Sequence, residues 1–186
     1  VELLFRPRIA ELLSNTMLLM ICVTIGAISL GTFCAFLLER CRFFGKAFFE
    51  VAMSLPLCIP AFVSCFTWIS LTFRVEGFWG TIGIMTLSSF PLAYLPVSAT
   101  LKRLDRSLEE ISLSLGKSPT YTFWHAIFPQ LKPAIGSSIL LIALHMLVEF
   151  GAVSILNYQT FTTAIFQEYE MSFNNSSAAL LSAVLM

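Results

Sequence analysis

The sequence predicts an all-α membrane protein: a polytopic bundle of transmembrane helices with a helix-turn-helix loop between two of its spans. Three observations carry that prediction. The 186 residues are 57% hydrophobic, with mean hydropathy +0.84 and only 12% charged, against about a quarter charged in soluble domains. The apolar residues cluster into runs of roughly 20, the length that crosses a bilayer core of about 30 Å. A polar island from Leu101 to Pro133 separates two such runs and holds five of the eleven basic residues, Lys102, Arg103, Arg106, Lys117 and Lys132.

Residues 1–186 read as one transmembrane domain. Arg6-Pro7-Arg8 leads into Ile9, Leu12 and Leu13, a short amphipathic helix, and Asn15 or Thr16 can start the first span. Spans are expected at 16–38, 51–73, 79–101 and 134–156, with the start of a fifth at 178–186. The first contains Gly26, Ser29 and Gly31, small residues that let helices approach closely. Glu39, Arg40, Arg42 and Lys46 end it in a short charged loop. The second carries Pro56 and Pro60 and the third Pro91 and Pro96; membrane helices tolerate proline when neighbours re-satisfy the freed carbonyls. Arg74 to Gly77 is a tight polar turn, the fourth span carries His145 and Glu149, and 157–177 is polar and aromatic. No Met precedes Val1 and the last apolar run is too short to span, so the chain reads as a fragment. Arg6 and Arg8 lie well before a first apolar run long enough to span, which argues against a cleavable signal peptide.

Orientation follows from Lys and Arg. With the island and the loop after the first span on one side, that side holds Arg40, Arg42, Lys46, Lys102, Arg103, Arg106, Lys117 and Lys132. The other holds Arg6, Arg8 and Arg74. The richer side is cytoplasmic by the positive-inside rule.

Within the island, Ser107-Leu108-Glu109-Glu110 has the form of a capping box, Ser107 capping a helix and Glu110 reaching back to the Ser107 N–H. Leu104, Leu108, Ile111 and Leu115 follow the helical period and give one apolar face. Gly116 stands where a left-handed helix end needs glycine. Ser118-Pro119 can start a second helix, with proline at its first position. Tyr121, Trp124 and Phe128 are spaced to face one way, and Pro129 and Pro133 are expected to stop this helix before the next span.

Several functions are excluded. Net charge is zero, so no nucleic-acid footprint is present. Cys22, Cys34, Cys41, Cys58 and Cys65 form no CxxC pair and read as small buried hydrophobes. No phosphate-binding GxxxxGK[ST] loop, GxSxG or HExxH occurs, so neither ATP hydrolysis, a cofactor nor a metal site is expected of this chain. His145 and Glu149 lie four apart, on one face of a helix. Ionisable residues at that depth line a pathway or join helices. They are also the sole ionisable pair available to a secondary transporter, which would couple ions at broken helices.

The run Glu110-Ile111-Ser112, three residues, Gly116, nine residues, then Ala126-Ile127-Phe128-Pro129 resembles the signature of ABC-transporter permeases. That signature is Glu-Ala-Ala, three residues, Gly, nine residues and an Ile-x-Leu-Pro-like end. Ile111 and Ser112 stand in place of the two alanines, and Ala126 and Phe128 in place of Ile and Leu. Arg6-Pro7-Arg8, Leu55-Pro56-Leu57 with Pro60, Glu149-Phe150-Gly151-Ala152 and Thr160-Phe161-Thr162-Thr163-Ala164-Ile165 are similar to ferric-iron permeases of the Sfu/Fbp/Hit group. The resemblance implies a type I-like importer permease in the bacterial inner (plasma) membrane, surrounded by lipid. It implies an ATPase-docking loop carrying Glu110, Ile111, Ser112, Gly116 and Pro129. The implied partners are a cytoplasmic ABC ATPase dimer, a periplasmic substrate-binding protein, and a second permease unit that is identical, fused or homologous. Ferric iron is the implied substrate. Related permeases move thiamine, sulfate, polyamines, phosphonates or sugar phosphates.

The charge bias makes a direct prediction about topology. In a cysteine-free background, an impermeant thiol reagent on intact cells should label a cysteine at Ser172 and spare one at Ser118. The opposite pattern would reverse the orientation.

Overall fold

A computed structural model of the chain describes residues 7–41, 44–72 and 76–164. Its elements are α-helices, with no strand among the described residues: α1 (Pro7–Arg40), α2 (Lys46–Ala52), α3 (Ala61–Leu71), α4 (Phe78–Ser89), α5 (Pro91–Arg103), α6 (Ser107–Ser114), α7 (Pro119–Thr122), α8 (Phe128–Val148) and α9 (Gly151–Ile155). A 3-10 turn, Leu55–Cys58, lies between α2 and α3, and a π turn, Phe123–Ile127, between α7 and α8. Three helical runs are long and apolar enough to cross a membrane: Ala10–Arg40, Phe78–Arg103 and Pro119–Val148. The pair Lys46–Cys58 and Ala61–Leu71, bent by 94°, makes a fourth if it is one broken span.

The elements depart from the expected spans for local reasons. Thr16 does not start a helix. Its hydroxyl donates to the Leu12 carbonyl at 2.8 Å, one turn back inside a continuous α1. The stretch around 51–73 is not one straight helix, because Pro56 lies in the 3-10 turn and Pro60 is the N-cap of α3; each removes a donor from the helical ladder. Phe90 keeps helical dihedrals between α4 and α5, so Pro91 marks a joint in one continuous run. The helix expected to run on to Leu156 ends at Val148: Glu149 turns to an extended backbone, φ −72 and ψ 114. Arg6, Arg42, Arg74 and the fifth span at 178–186 lie outside the described residues.

The core forms where α1 packs on α5, α4 and α8, and α5 on α8, while α3 packs on α9. Leu19, Val23, Ala27, Ala35 and Leu38 of α1 are buried, whereas Leu18, Ile21, Ile25 and Phe33 are exposed. The buried residues form a stripe at helical spacing, and the exposed ones suit contact with lipid. Ala27, Gly31 and Ala35 fall four apart on the buried stripe, the small-residue spacing that brings membrane helices together. At Gly31 the approach is backbone to backbone. A Cβ there would lie 2.7 Å from the Phe90 carbonyl oxygen and 2.8 Å from both the Tyr94 nitrogen and the Ala93 Cβ. At Gly26 the neighbour is the Thr86 side chain, 2.9 Å from such a Cβ.

At the end away from the polar island, Gly77, with φ 86, starts α4 and donates its N–H to the Leu156 carbonyl at 2.9 Å. Asn157, with φ 55, donates from its amide to Glu76 at 3.3 Å. Phe161 N–H donates to the Thr16 hydroxyl at 2.9 Å, tying α1 to the segment after α9.

Gly31→Ala should therefore lower the melting midpoint of the detergent-solubilised protein, in line with about 1–3 kcal/mol for overpacking. Gly136→Ala meets nothing within 4 Å of the new Cβ and should move stability by less than about 0.5 kcal/mol. Equal melting of the two variants would contradict the close approach.

Candidate functional site

The polar island folds into two helices joined by a sharp turn, and each joint has an identifiable chemical cause. Arg106 is the N-cap of α6 and offers no side-chain cap, and Asp105 just before it holds the helix start. One carboxylate oxygen accepts the Ser107 N–H at 3.0 Å, and the other accepts the Ser107 hydroxyl at 2.6 Å. The expected capping box is not made: Ser107 is the first residue of α6, not its cap, and Glu110 is exposed without reaching back. Asp105, two positions before Ser107, folds its carboxylate over the first residue of the helix in an Asx-type turn. The Ser107 hydroxyl, and then its N–H, hold the Asp105 carboxyl below its ordinary range. This support for the helix start is complete above the usual carboxylate range and lost as pH falls through the lowered value.

Gly116, with φ 74, ends α6. Its N–H donates to the Leu113 carbonyl at 2.9 Å and the Lys117 N–H to the Ser112 carbonyl at 3.2 Å, the paired bonds of a Schellman motif. Ser118 then caps α7 by accepting the Tyr121 N–H at 3.2 Å, with Pro119 at the first helical position. Across the turn, the Ser112 and Thr122 hydroxyls lie 2.7 Å apart, bracing the two helices against each other.

Pro129 and Pro133 do not stop the second helix, which continues through both to Val148. The π turn immediately precedes Pro129, where the ladder lacks a donor, and side chains take up nearby carbonyls. The Gln130 amide donates to the Ala126 carbonyl at 2.8 Å, and the His125 ring lies 3.0 Å from the Tyr121 carbonyl. Tyr121 stacks on His125 with centroids 4.0 Å apart, while Trp124 packs on Phe128 at 4.8 Å. The three aromatics expected on one face are thus split between two pairs.

The apolar side of α6 faces outward. Leu104 packs against the core, but Leu108, Ile111 and Leu115 are 46%, 55% and 72% exposed. α6 has no buried residue. Glu110 shares the exposed side, whereas Glu109 turns inward and pairs with Arg40 at 2.5 Å. Adjacent glutamates thereby point to different neighbours.

Sequence reasoning missed the charged cluster beneath α6. Glu39, 5% exposed, is not in a loop but in the last turn of α1. Its carboxylate accepts from the Ser98 hydroxyl at 2.6 Å and faces the ammonium groups of Lys46 and Lys102, each at 3.4 Å. Glu50 bridges the same two lysines at 3.7 and 3.1 Å. The Arg106 guanidinium donates to the Glu39 main-chain carbonyl at 2.9 Å. Ser98 and Lys102, four apart on α5, offer two donors on one face, but nothing in their spacing names Glu39 as the acceptor.

The Glu149 N–H donates to the His145 carbonyl at 3.1 Å, but their side chains form no hydrogen bond or ion pair with each other among the described residues. His145 stays on α8, half-buried, and its ring makes no hydrogen bond among the described residues. Glu149 is the C-cap of α8, and its carboxylate accepts the Ala152 N–H at 3.1 Å, holding the first turn of α9. Gly151 lets α9 approach α3: a Cβ there would lie 3.2 Å from the Phe62 Cβ. Among the described residues, no three His, Cys, Asp or Glu side chains converge into a metal site.

Comparisons with known proteins give this arrangement a family. The Fe(3+)-transport system permease protein FbpB 2 of Haemophilus influenzae is 94% identical over the whole chain, which covers 37% of that protein. The probable sulfate transport system permease protein cysT of Chlorokybus atmophyticus is 30% identical over 84% of the chain and 62% of its own length. The sulfate transport system permease protein CysT of Escherichia coli is 29% identical over 82% of the chain and 60% of its own length. The chain thus spans between about a third and two thirds of these relatives. Residues 27–186 match the family model of the binding-protein-dependent transport system inner membrane component, and the chain, an all-α multi-pass inner-membrane protein of the type I ABC permease fold, belongs to that family.

Proposed function

We propose that this chain is part of the permease of an ATP-driven ferric-iron importer, that its island is cytoplasmic, and that α6, Gly116 and α7 dock on a separate ATPase dimer. The observation that carries the reading is the outward face of α6. Leu108, Ile111 and Leu115 are exposed beside Glu110, on a helix pinned at one end by Asp105 and at the other by the Gly116 turn. An apolar helix face with a charged neighbour suits a groove on a partner protein. In this reading Ile111 and Glu110 meet the ATPase. Ser112 and Gly116 set the angle of the hairpin, and Pro129 sits at its membrane end. ATP binding would draw two docked loops together and shift the permease between conformations, work done by the contact energy that differs between the two states. A periplasmic binding protein would deliver the iron, and a second permease unit, fused, identical or homologous, would complete the path.

Ferric iron rests on the 94% identical relative, whose name states Fe(3+) transport. The relatives near 30% identity are named for sulfate, so sulfate is the competing substrate. The test uses the full-length permease with its ATPase and binding protein, in cells lacking other uptake systems. Radiolabelled ferric iron should accumulate and sulfate should not. Gly116→Val should cut both co-purifying ATPase and iron uptake roughly tenfold, since a left-handed β-branched residue costs about 1–2 kcal/mol. Sulfate uptake without iron uptake would replace the substrate. Full docking by Gly116→Val would remove the docking role.

Glu149 separates charge from shape. Gln at this position retains a carbonyl acceptor for the Ala152 N–H, whereas Ala removes a cap worth about 0.5–2 kcal/mol. Glu149→Gln should keep most assembly and uptake, and Glu149→Ala should lose assembled complex in detergent. Normal assembly with abolished uptake in Glu149→Gln would make the charge itself part of the pathway.

A further inference from the structure

Docking explains what α6 touches on its outer side, and the Gly116 turn with the Ser112–Thr122 contact links it to the helical run Pro119–Val148; neither accounts for how a push on it reaches α1 and α5. α6 buries none of its own residues, so apolar packing does not hold it to the bundle. Its covalent link to α5 is Leu104, Asp105 and Arg106, and Leu104 is extended, φ −68 and ψ 128. A three-residue link with an extended first residue can hinge. Besides the Ser112–Thr122 contact to α7, two polar contacts oppose that hinge, and both end on the last turn of α1. Glu109, 20% exposed, pairs with Arg40, 9% exposed. Arg106 donates to the Glu39 carbonyl at 2.9 Å. The receiving turn is itself immobilised: the Glu39 side chain is held by Ser98 and Lys102 of α5 and by Lys46 of α2.

We propose that the Arg40–Glu109 pair, seated on the Glu39 cluster, is the positioning element that makes α6 move as one body with α1 and α5. The inference rests on the docking reading above and adds to it a division of labour between two neighbouring glutamates. Glu110 faces the partner, and Glu109 passes displacement of α6 to the first membrane helix. A partly buried ion pair suits this task because solvent screens it less than an exposed one, whereas a slack surface pair holds little. Loosening the pair lets the hinge at Leu104 absorb the stroke, so ATP is hydrolysed without matching transport.

The test uses the full-length permease with its ATPase and binding protein, reconstituted in vesicles. Arg40→Ala, Glu109→Ala and the exchange Arg40→Glu with Glu109→Arg are compared for co-purified ATPase, ATP hydrolysis and substrate transported per ATP. The single variants should retain the ATPase and hydrolyse ATP within about twofold of wild type, while transport per ATP falls roughly fivefold or more. The exchange should recover at least half of the loss. If either alanine variant fails to assemble, Arg40→Lys, which keeps a charge for Glu109, is set against Glu109→Gln, which removes it, and only the latter should uncouple. Wild-type transport per ATP in the variant lacking the pair overturns the proposal, as does an exchange no better than the single variants. A wild-type permease that fails to retain the ATPase would sink the docking reading instead, an outcome distinct from both.

Discussion

The fold depends on how closely α1 can approach the joint between α4 and α5. Lipid supplies no hydrophobic drive for helices to associate, so contact must come from shape and from satisfied polar groups. Gly31 meets that constraint by bringing its own backbone against Phe90 and Tyr94, with Ala27 and Ala35 buried a turn to either side. Once α1 lies this close to α5, their last turns are adjacent, and Glu39 is brought to Ser98 and Lys102. The charged cluster is therefore a product of the apolar packing above it. A buried carboxylate is tolerable there because a hydroxyl and two ammonium groups surround it; alone it would be strongly destabilising.

The features of the sequence that could be read were those whose cause is local. Gly116 announces itself because a glycine after an amphipathic turn has one common use, and Ser118-Pro119 because serine before proline starts helices. Apolar runs of membrane length follow from composition alone. The features that could not be read depend on residues far apart in sequence. Glu39 and Ser98 are 59 positions apart, and nothing near Glu39 distinguishes a buried network from a solvated loop. α8 ends at Val148, and Gly151 of α9 lies against Phe62 of α3, 89 positions earlier, so the hydropathy of 134–156 runs straight through a break.

Two departures from the sequence pattern involve alternatives close in energy. Asp105 and Ser107 both carry oxygens able to hold a helix start, and a shift of one or two residues at a helix end lies within the tolerance of any pattern argument. Pro129 and Pro133 looked like stops because proline normally ends a helix. That rule presumes the freed carbonyls find no other donor. Here the turn before Pro129 is π rather than α, Gln130 donates to the Ala126 carbonyl, and the helix continues to Val148.

The π turn at Phe123–Ile127 has a geometric effect on the whole polar hairpin. A π turn carries one more residue than an α turn, and each residue in an α-helix advances the face by about 100°. The extra residue therefore acts as a phase setting between the bundle and the hairpin. It aims the outer face of α6 in one compass direction while leaving the packing of α8 against α1 and α5 untouched. Homologous chains with and without such a turn could share an identical membrane bundle and yet present their loops on different bearings.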